Sequence, residues 1–333
     1  MNHETIEKLY DITDEMAMIL VEHANLRYLD ALCAASANIM AMDVLQEVET
    51  EIEIKLFVLG KELAETEFAV EEVRKALQLA LLKGMKADNV PLDNITPDSI
   101  GLLIGHLVGK FFKDFSKLTI ADLTCGTGNL LTTTLNTLET TPASIYGADI
   151  DYQLLQLAKM MADMQDHDVQ FFHQSSARAM AVSPVDVIIG NLPVDGKVEA
   201  ADKDSKLAQA GCNFLPYLLV ENHLNYLTPG GYAIYVIGND FFSQEHAAKF
   251  HEVLTGQTDI GMLLQLPTNL FKDESQQKSI FVVRKHGEGL SKVQEVLVGN
   301  FPDFGNIEEF RAMLTKVEKW VKMNEWFGNE LEL

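Results

Sequence analysis

Between residues 118 and 283 short β-rich runs alternate with helical stretches, and this alternation constrains the fold more than any other feature of the chain. The β-rich runs are 118–123, 144–148, 169–172, 185–189, 232–237, 260–266 and 279–283. Helical periodicity follows the first, second, fourth and fifth of them, at about 130–138, 152–164, 215–227 and 244–254. Strands that alternate with helices predict an α/β fold, a doubly wound and mainly parallel sheet with helices on both faces. Such sheets bind ligands beyond the carboxyl ends of their strands, at a topological switch point.

The first third of the chain reads differently. Gly60 and Gly84 are its only glycines and Pro91 is its first proline. Ile6, Leu9, Thr13, Met16 and Leu20 recur at three- and four-residue steps, as do Val70, Val73, Leu77, Ala80 and Leu81, which places one apolar stripe on each of two helices. Residues 47–54 alternate Glu with apolar side chains and could form a short strand, but their surroundings favour helix. Turn formers at 88–97 mark a boundary. The expected organisation is a helical domain over 1–94, an α/β domain over 95–286, and a C-terminal strand and helix over 287–333 packed on it.

Charge narrows the function. The whole chain carries a formal net charge of −23, and residues 1–95 hold 8 basic against 19 acidic side chains. Proteins that wrap nucleic acid or lie on anionic lipid through a broad basic surface need the opposite sign. The acidic helical region is expected to be a solvated bundle packed on the next domain, in preference to a specific partner surface. The sequence from Met1 to Glu7 lacks the basic and apolar parts of a signal peptide, and no run of 18 apolar residues occurs. A cytoplasmic protein with no membrane association is expected. Cys33, Cys125 and Cys212 lie far apart with no histidine at ligand spacing, so no disulfide framework and no metal site is expected.

Two strand ends carry candidate binding groups. Asp122-Leu123-Thr124-Cys125-Gly126-Thr127-Gly128-Asn129 follows a β-rich run and opens a helix. Gly126 and Gly128 permit a tight turn and close backbone approach to a ligand, although two glycines alone are a weak signal. About twenty residues on, Tyr146-Gly147-Ala148-Asp149-Ile150-Asp151 ends the next strand. Asp149 there is placed to bind the two hydroxyls of a ribose, and Asp151 to cap the following helix. Adenosine-containing ligands fit, and the spacing does not separate a dinucleotide from S-adenosylmethionine, although the third glycine of the dinucleotide pattern is missing.

The third strand end decides between them. Val185-Asp186-Val187-Ile188-Ile189-Gly190-Asn191-Leu192-Pro193-Val194 runs from a buried strand into an Asn-x-Pro turn. Here the sequence resembles the class I S-adenosylmethionine-dependent methyltransferases of the N6-adenine-specific DNA methylase family, whose fourth motif reads Asn/Asp-Pro-Pro-Tyr/Phe. Ile95-Thr96-Pro97-Asp98-Ser99-Ile100 is similar to the family's segment over the methionine end of the cofactor, and Asp122 to Leu130 to its Asp-Pro-x-x-Gly-x-Gly-Asn loop. Leu227-Thr228-Pro229-Gly230-Gly231-Tyr232 with Gly238-Asn239-Asp240, then Leu266-Pro267-Thr268-Asn269-Leu270-Phe271 and 279–285, resemble the later sheet of type I restriction-modification methylase subunits and their stand-alone bacterial relatives. The resemblance covers about 95–286, and those subunits also carry a helical N-terminus.

It implies a seven-stranded Rossmann-like methyltransferase sheet, S-adenosyl-L-methionine as cofactor, and methyl transfer to N6 of adenine in DNA. It implies a cofactor site of Thr96, Asp122, Thr124, Gly126, Gly128, Asn129, Asp149, Ile150, Ser175 and Ser176, and a catalytic turn of Asn191, Leu192, Pro193 and Val194. Methylating an aromatic amine requires its nitrogen lone pair to turn out of the ring. Acceptors on both N–H bonds do this as positive charge develops, one the Asn191 side-chain oxygen and the other the Leu192 carbonyl. Val194 replaces the family's base-stacking Tyr or Phe, a contact worth about 1–3 kcal/mol per base. Gln174-Ser175-Ser176-Ala177 stands where the family commonly has an Asp on the cofactor's adenine amine, leaving Ser175 as a neutral acceptor.

Several features have a plainer explanation. Phe241, Phe242 and Phe271 are expected in the core in preference to a base-stacking role. The polar loop 195–213 is longer than ordinary connections and reads as a mobile functional loop, and its Lys197, Lys203 and Lys206 read as a solvated lid, with a DNA-facing role as the alternative. His173 is a strand-end residue and Cys125 a packing residue. Two other functions stay open: a regulatory or assembly protein that binds S-adenosylmethionine without catalysis, and methylation of an RNA base or a protein amide. The acidic balance implies weak unaided DNA binding, and hence either a helper subunit or a substrate other than duplex DNA; the resemblance to type I subunits implies a separate specificity subunit or other protein partner.

Overall fold

The computed structural model describes residues 2–92, 95–112, 115–198 and 203–326. Four helices come first: α1 (His3–His23), α2 (Tyr28–Ala41), α3 (Thr50–Ala64) and α4 (Val70–Ala87). The Asn2 side chain caps α1 by accepting from the Glu4 amide, which satisfies one of the open donors of its first turn. The stripe residues Leu9, Met16, Leu20, Leu77 and Leu81 meet in one buried cluster with Leu32 and Leu56. The alternating 47–54 stretch falls largely in α3, so its apolar residues follow a helical rather than a strand period.

This cluster does not end with the bundle. It continues onto Leu154, Leu157, Met160 and Met161 of α7 (Tyr152–Asp163). One face of α7 therefore belongs to the bundle, and fully burying each such side chain contributes about 1.5–3 kcal/mol.

The α/β part contains β1 (Thr119–Asp122), β2 (Ser144–Asp149), β3 (Val169–His173), β4 (Val185–Asn191), β5 (Leu227–Gly238), β6 (Thr258–Gln265), β7 (Lys278–Lys285) and β8 (Leu297–Asn300). They form one sheet in the order β3-β2-β1-β4-β5-β7-β6-β8. All neighbours are parallel except β7, which runs antiparallel to β5 and β6. The sheet has eight strands where seven were expected, because β8 from the C-terminal segment pairs with β6 and joins it. Central strands are apolar on both faces, as a sheet covered by helices on each side requires.

On one face lie α5 (Asp98–Phe111), α6 (Asn129–Leu135) and α11 (Ile307–Met323), and on the other α9 (Leu215–His223) and α10 (Ala247–Thr255). Helix α5 lies close to α6 because Gly101 and Gly105 face Thr133 and Thr137, where a Cβ on Gly101 would come 2.7 Å from Thr133 Cβ. The short α8 (Lys206–Gln209) sits in the 195–213 loop, capped by Ser205 and tied down by the Glu221 carboxylate, which accepts from the Lys206 amide at 2.8 Å. Residues 199–202 of that loop lie outside the described residues. Among the described residues no helix is long and apolar enough to cross a membrane. Strand order reverses between β1 and β4, so the switch point falls where Asp122, Asp149 and Asn191 end three neighbouring strands.

Candidate active site at the switch point

Asp122 ends β1 almost fully buried, at 1% exposure. Its Oδ1 accepts from the Thr124 amide at 3.1 Å, while Oδ2 has no partner. Burial, with Asp149 nearby adding to it, pushes this carboxyl up to about 7. Asp149 ends β2 and closes the glycine turn: Oδ2 accepts from the Gly126 amide at 2.8 Å and Oδ1 from the Asp151 amide at 2.9 Å. Burial raises its carboxyl as well. The turn needs its glycines, since Gly126 and Gly128 have φ of 53° and 77°. A Cβ on Gly128 would also lie 3.0 Å from Ala158 Cα of α7. Beneath the turn Gly190 leaves room for Thr124, where a Cβ would come 2.9 Å from its Oγ1.

Asn191 ends β4 and is held from two sides. Its Nδ2 donates to Thr96 Oγ1 at 3.0 Å, and its Oδ1 accepts from Lys278 Nζ at 2.6 Å. An amide oxygen has two lone pairs, so Lys278 leaves one for a further N–H. Thr96, 5% exposed, also accepts through its carbonyl from Asn129 Nδ2 at 2.6 Å. The Asn129 side chain is thus turned to the Thr96 segment, and its Oδ1 accepts from Arg74 Nη1 of α4 at 3.1 Å. Leu192 is fully buried and its amide donates to the Val236 carbonyl at 2.9 Å, extending β4 beside β5. Pro193 and Val194 are half-buried, and Val194 lies against Gly238, 3.4 Å from where a Cβ would stand.

The remaining predicted residues divide. Ile150, 70% exposed beside Asp149, offers an apolar surface with Tyr152. Ser175 is half-buried at the turn after β3, next to Gln174, whose Nε2 is buried without a partner. Ser176 is buried. Its hydroxyl turns inward to His223 Nε2 at 3.0 Å, and the other His223 nitrogen reaches the Tyr235 hydroxyl at 3.2 Å. Burial pushes His223 down to about 3, so this is a neutral core network. Cys125 is buried and its thiol raised by burial, an inert packing residue. His173 is exposed and donates to the Ile150 carbonyl at 3.0 Å. Phe241 packs edge-on against Tyr217 and Phe250, Phe242 against Phe281, and Phe271 against the core on the α5 and α11 side.

Sequence reasoning missed Lys278 and Arg74. Lys278 opens β7, 87 residues from Asn191, and only the antiparallel return of β7 beside β5 brings it to the site. No local pattern marks it.

Residues 93–332 match the N-6 DNA Methylase family, and residues 7–85 match the YtxK N-terminal helical domain. The chain belongs to the N-6 DNA methylase family. It is 34% identical over 327 residues to protein YtxK of Bacillus subtilis (strain 168), covering 97% of this chain and 99% of that one. Its fold is similar to that of a Listeria monocytogenes protein described as a class I S-adenosylmethionine-dependent methyltransferase, with TM-score 0.83, 31% identity, and 96% and 99% of the two chains covered. The methyltransferase subunit of a type I restriction-modification system from Streptococcus thermophilus shares the fold at TM-score 0.59 and 15% identity, covering 90% of this chain and 75% of that one.

As an N-6 DNA methylase family member the chain is an S-adenosylmethionine-dependent methyltransferase by fold and family. Its switch point suits that cofactor. Three buried polar atoms there lack partners among the described residues, Asp122 Oδ2, Thr124 Oγ1 and Gln174 Nε2, and glycines at 128 and 190 let the turn pack closely on Ala158 and Thr124. The exposed Ile150 beside Asp149 suits one face of an adenine ring.

Proposed function

We propose that this chain transfers a methyl group to N6 of adenine in DNA, acting in the cytoplasm with a partner that supplies target recognition. S-Adenosylmethionine, when bound, supplies the electrophilic methyl group. In this reading Asp122, Thr124, Gly126 and Gly128 shape the pocket for its methionine part, with Thr96 and Asn129 closing over it. Asp149 takes the ribose hydroxyls, while Ile150 and Ser175 face the adenine. We divide the chain into a helical part (1–94), a methyltransferase part (95–286) and a C-terminal strand and helix (287–333).

The observation that carries the reading is the orientation of Asn191. Its nitrogen is engaged by Thr96 and its oxygen faces Lys278 with one lone pair to spare, so the amide presents an acceptor at the end of β4. An aromatic amine held between Asn191 Oδ1 and the Leu192 carbonyl has both N–H bonds occupied, which frees its lone pair for attack. The amine proton is lost afterwards from a cationic nitrogen, so no strong base is required.

The partner follows from charge and kinship. With a net charge of −23 the chain has little unaided attraction for phosphates. The solved relatives include the methyltransferase subunit of a type I restriction-modification system. The test is incubation with tritiated methyl donor and separate DNA, RNA and protein substrates, with wild type and Asn191→Ala. Label in DNA that disappears with Asn191→Ala supports the reading. Label only in RNA or protein moves the substrate class, and equal label with the variant removes Asn191 from the mechanism. Val194 favours a second reading, a protein that binds S-adenosylmethionine for assembly or regulation, and it gains ground if no substrate is labelled.

A further inference from the structure

Arg74 stands on α4, in the helical bundle, and is 1% exposed. Its guanidinium is fully engaged: Nη1 donates to Asp98 Oδ1 at 2.9 Å and to Asn129 Oδ1 at 3.1 Å, Nη2 to Glu71 Oε2 at 2.9 Å and Asp98 Oδ2 at 3.2 Å, and Nε to Glu71 Oε1 at 2.9 Å. From the next turn Gln78 Nε2 donates to Asp98 Oδ1 at 2.8 Å and Asn129 Oδ1 at 3.4 Å. A buried cation with two carboxylates is paired rather than stranded. Its forked shape lets one side chain hold Glu71, Asp98 and Asn129 together through five N–H bonds, where an ammonium has only three.

The consequence runs through the amides. Because a guanidinium only donates, Asn129 must turn its oxygen to α4 and its nitrogen to the Thr96 carbonyl, which accepts at 2.6 Å. Thr96, held there, places its hydroxyl 3.0 Å from Asn191 Nδ2. We propose that Arg74 is a positioning residue, and that the helical bundle acts through Arg74, Asn129 and Thr96 to set the cofactor pocket and to brace Asn191, whose amide Lys278 orients. The bundle is then a working part of the site, and a partner that shifts α4 changes methyl transfer without touching substrate. This inference rests on the reading of Thr96 and Asn129 as cofactor residues.

A double-mutant cycle on S-adenosylmethionine affinity, read by calorimetry on the full chain, tests it. Arg74→Lys keeps the charge and loses the fork, and Thr96→Val removes the hydroxyl. Each is expected to weaken binding about tenfold, and the double variant to be no weaker than either single one, a coupling of about 1.4 kcal/mol. A merely structural Arg74 would lower the melting temperature and leave affinity unchanged, or its effect would multiply with that of Thr96→Val. Either result overturns the inference while leaving the cofactor site intact. Where Arg74→Lys does not fold, Gln78→Met removes one uncharged link and is expected to weaken binding about threefold, an effect absent in the Thr96→Val background. Equal losses in both backgrounds overturn it. No binding by wild type instead overturns the reading of the cofactor residues on which it rests.

Discussion

Lys278 Nζ donates to Asn191 Oδ1 at 2.6 Å, and because an ammonium has no acceptor this contact fixes which end of the Asn191 amide faces the site. Thr96 could serve either end, since a hydroxyl both donates and accepts. Lys278 therefore decides the orientation and Thr96 reinforces it. Removing the lysine with Lys278→Met is expected to lower the methylation rate by roughly tenfold, the value of one charge-assisted hydrogen bond of about 1.5 kcal/mol. S-Adenosylmethionine affinity should stay at the wild-type value. An affinity loss as large as the rate loss would show that Lys278 serves the cofactor instead.

Asn191 itself separates acceptor from packing. Asn191→Ala should cost on the order of 10²–10³ in rate, as loss of a preorganised hydrogen-bonding group does. Asn191→Asp should keep a larger share, because a carboxylate still accepts from Lys278 and the Thr96 hydroxyl can turn to donate. Rates that fall equally for Ala and Asp would contradict the acceptor role.

The pH dependence follows from Asp122. Burial raises its carboxyl from 3.8 to about 7, so the folded chain holds this proton more tightly than the unfolded chain does. Stability is then lost as pH rises from about 4 towards 7 and is level above that. Asp122→Asn should stabilise the protein more at pH 8 than at pH 4, by at most about 4 kcal/mol for a shift of this size. A cationic cofactor favours the ionised carboxylate, so wild-type affinity for S-adenosylmethionine should rise between pH 6 and 8 and the rise should vanish in Asp122→Asn. Thermal melts and calorimetry at the two pH values check both statements. An unchanged rise in Asp122→Asn would assign it to another group.

Val194 lies against Gly238 at the mouth of the turn, where the family usually carries a ring. Val194→Tyr should tighten binding of an adenine-containing substrate by about 1–3 kcal/mol through stacking. The gain should appear in KM with kcat little changed. A loss of activity would mean that the valine side chain is required by the substrate this chain takes.

The α/β part was legible because parallel strands covered on both faces must be apolar runs, and the motifs sit at their ends. Asp122, Asp149 and Asn191 lie together for that reason, and Thr96 joins them from the segment before α5. Helix α5 was not read, since Gly101, Gly105 and Gly109 look like breakers until Thr133 and Thr137 of the α6 region are seen to fill the space beside the first two. The contact of Ser176 with His223 was not read either, because sequence position gives the turn after β3 but not the face each hydroxyl takes, and His223 approaches this one from α9. Lys278 and Arg74 reach the site across 87 and 55 residues of chain, through β7 pairing and bundle docking that no local period records.

Nucleoside mass spectrometry after incubation with S-adenosylmethionine tests the central claim most directly. DNA treated with wild type, together with the cell extract that supplies its partner, should contain N6-methyladenine, and DNA treated in the same way with Asn191→Ala should not. Methyl label recovered on RNA, on protein or on another base, with adenine N6 in DNA unmodified, would contradict it.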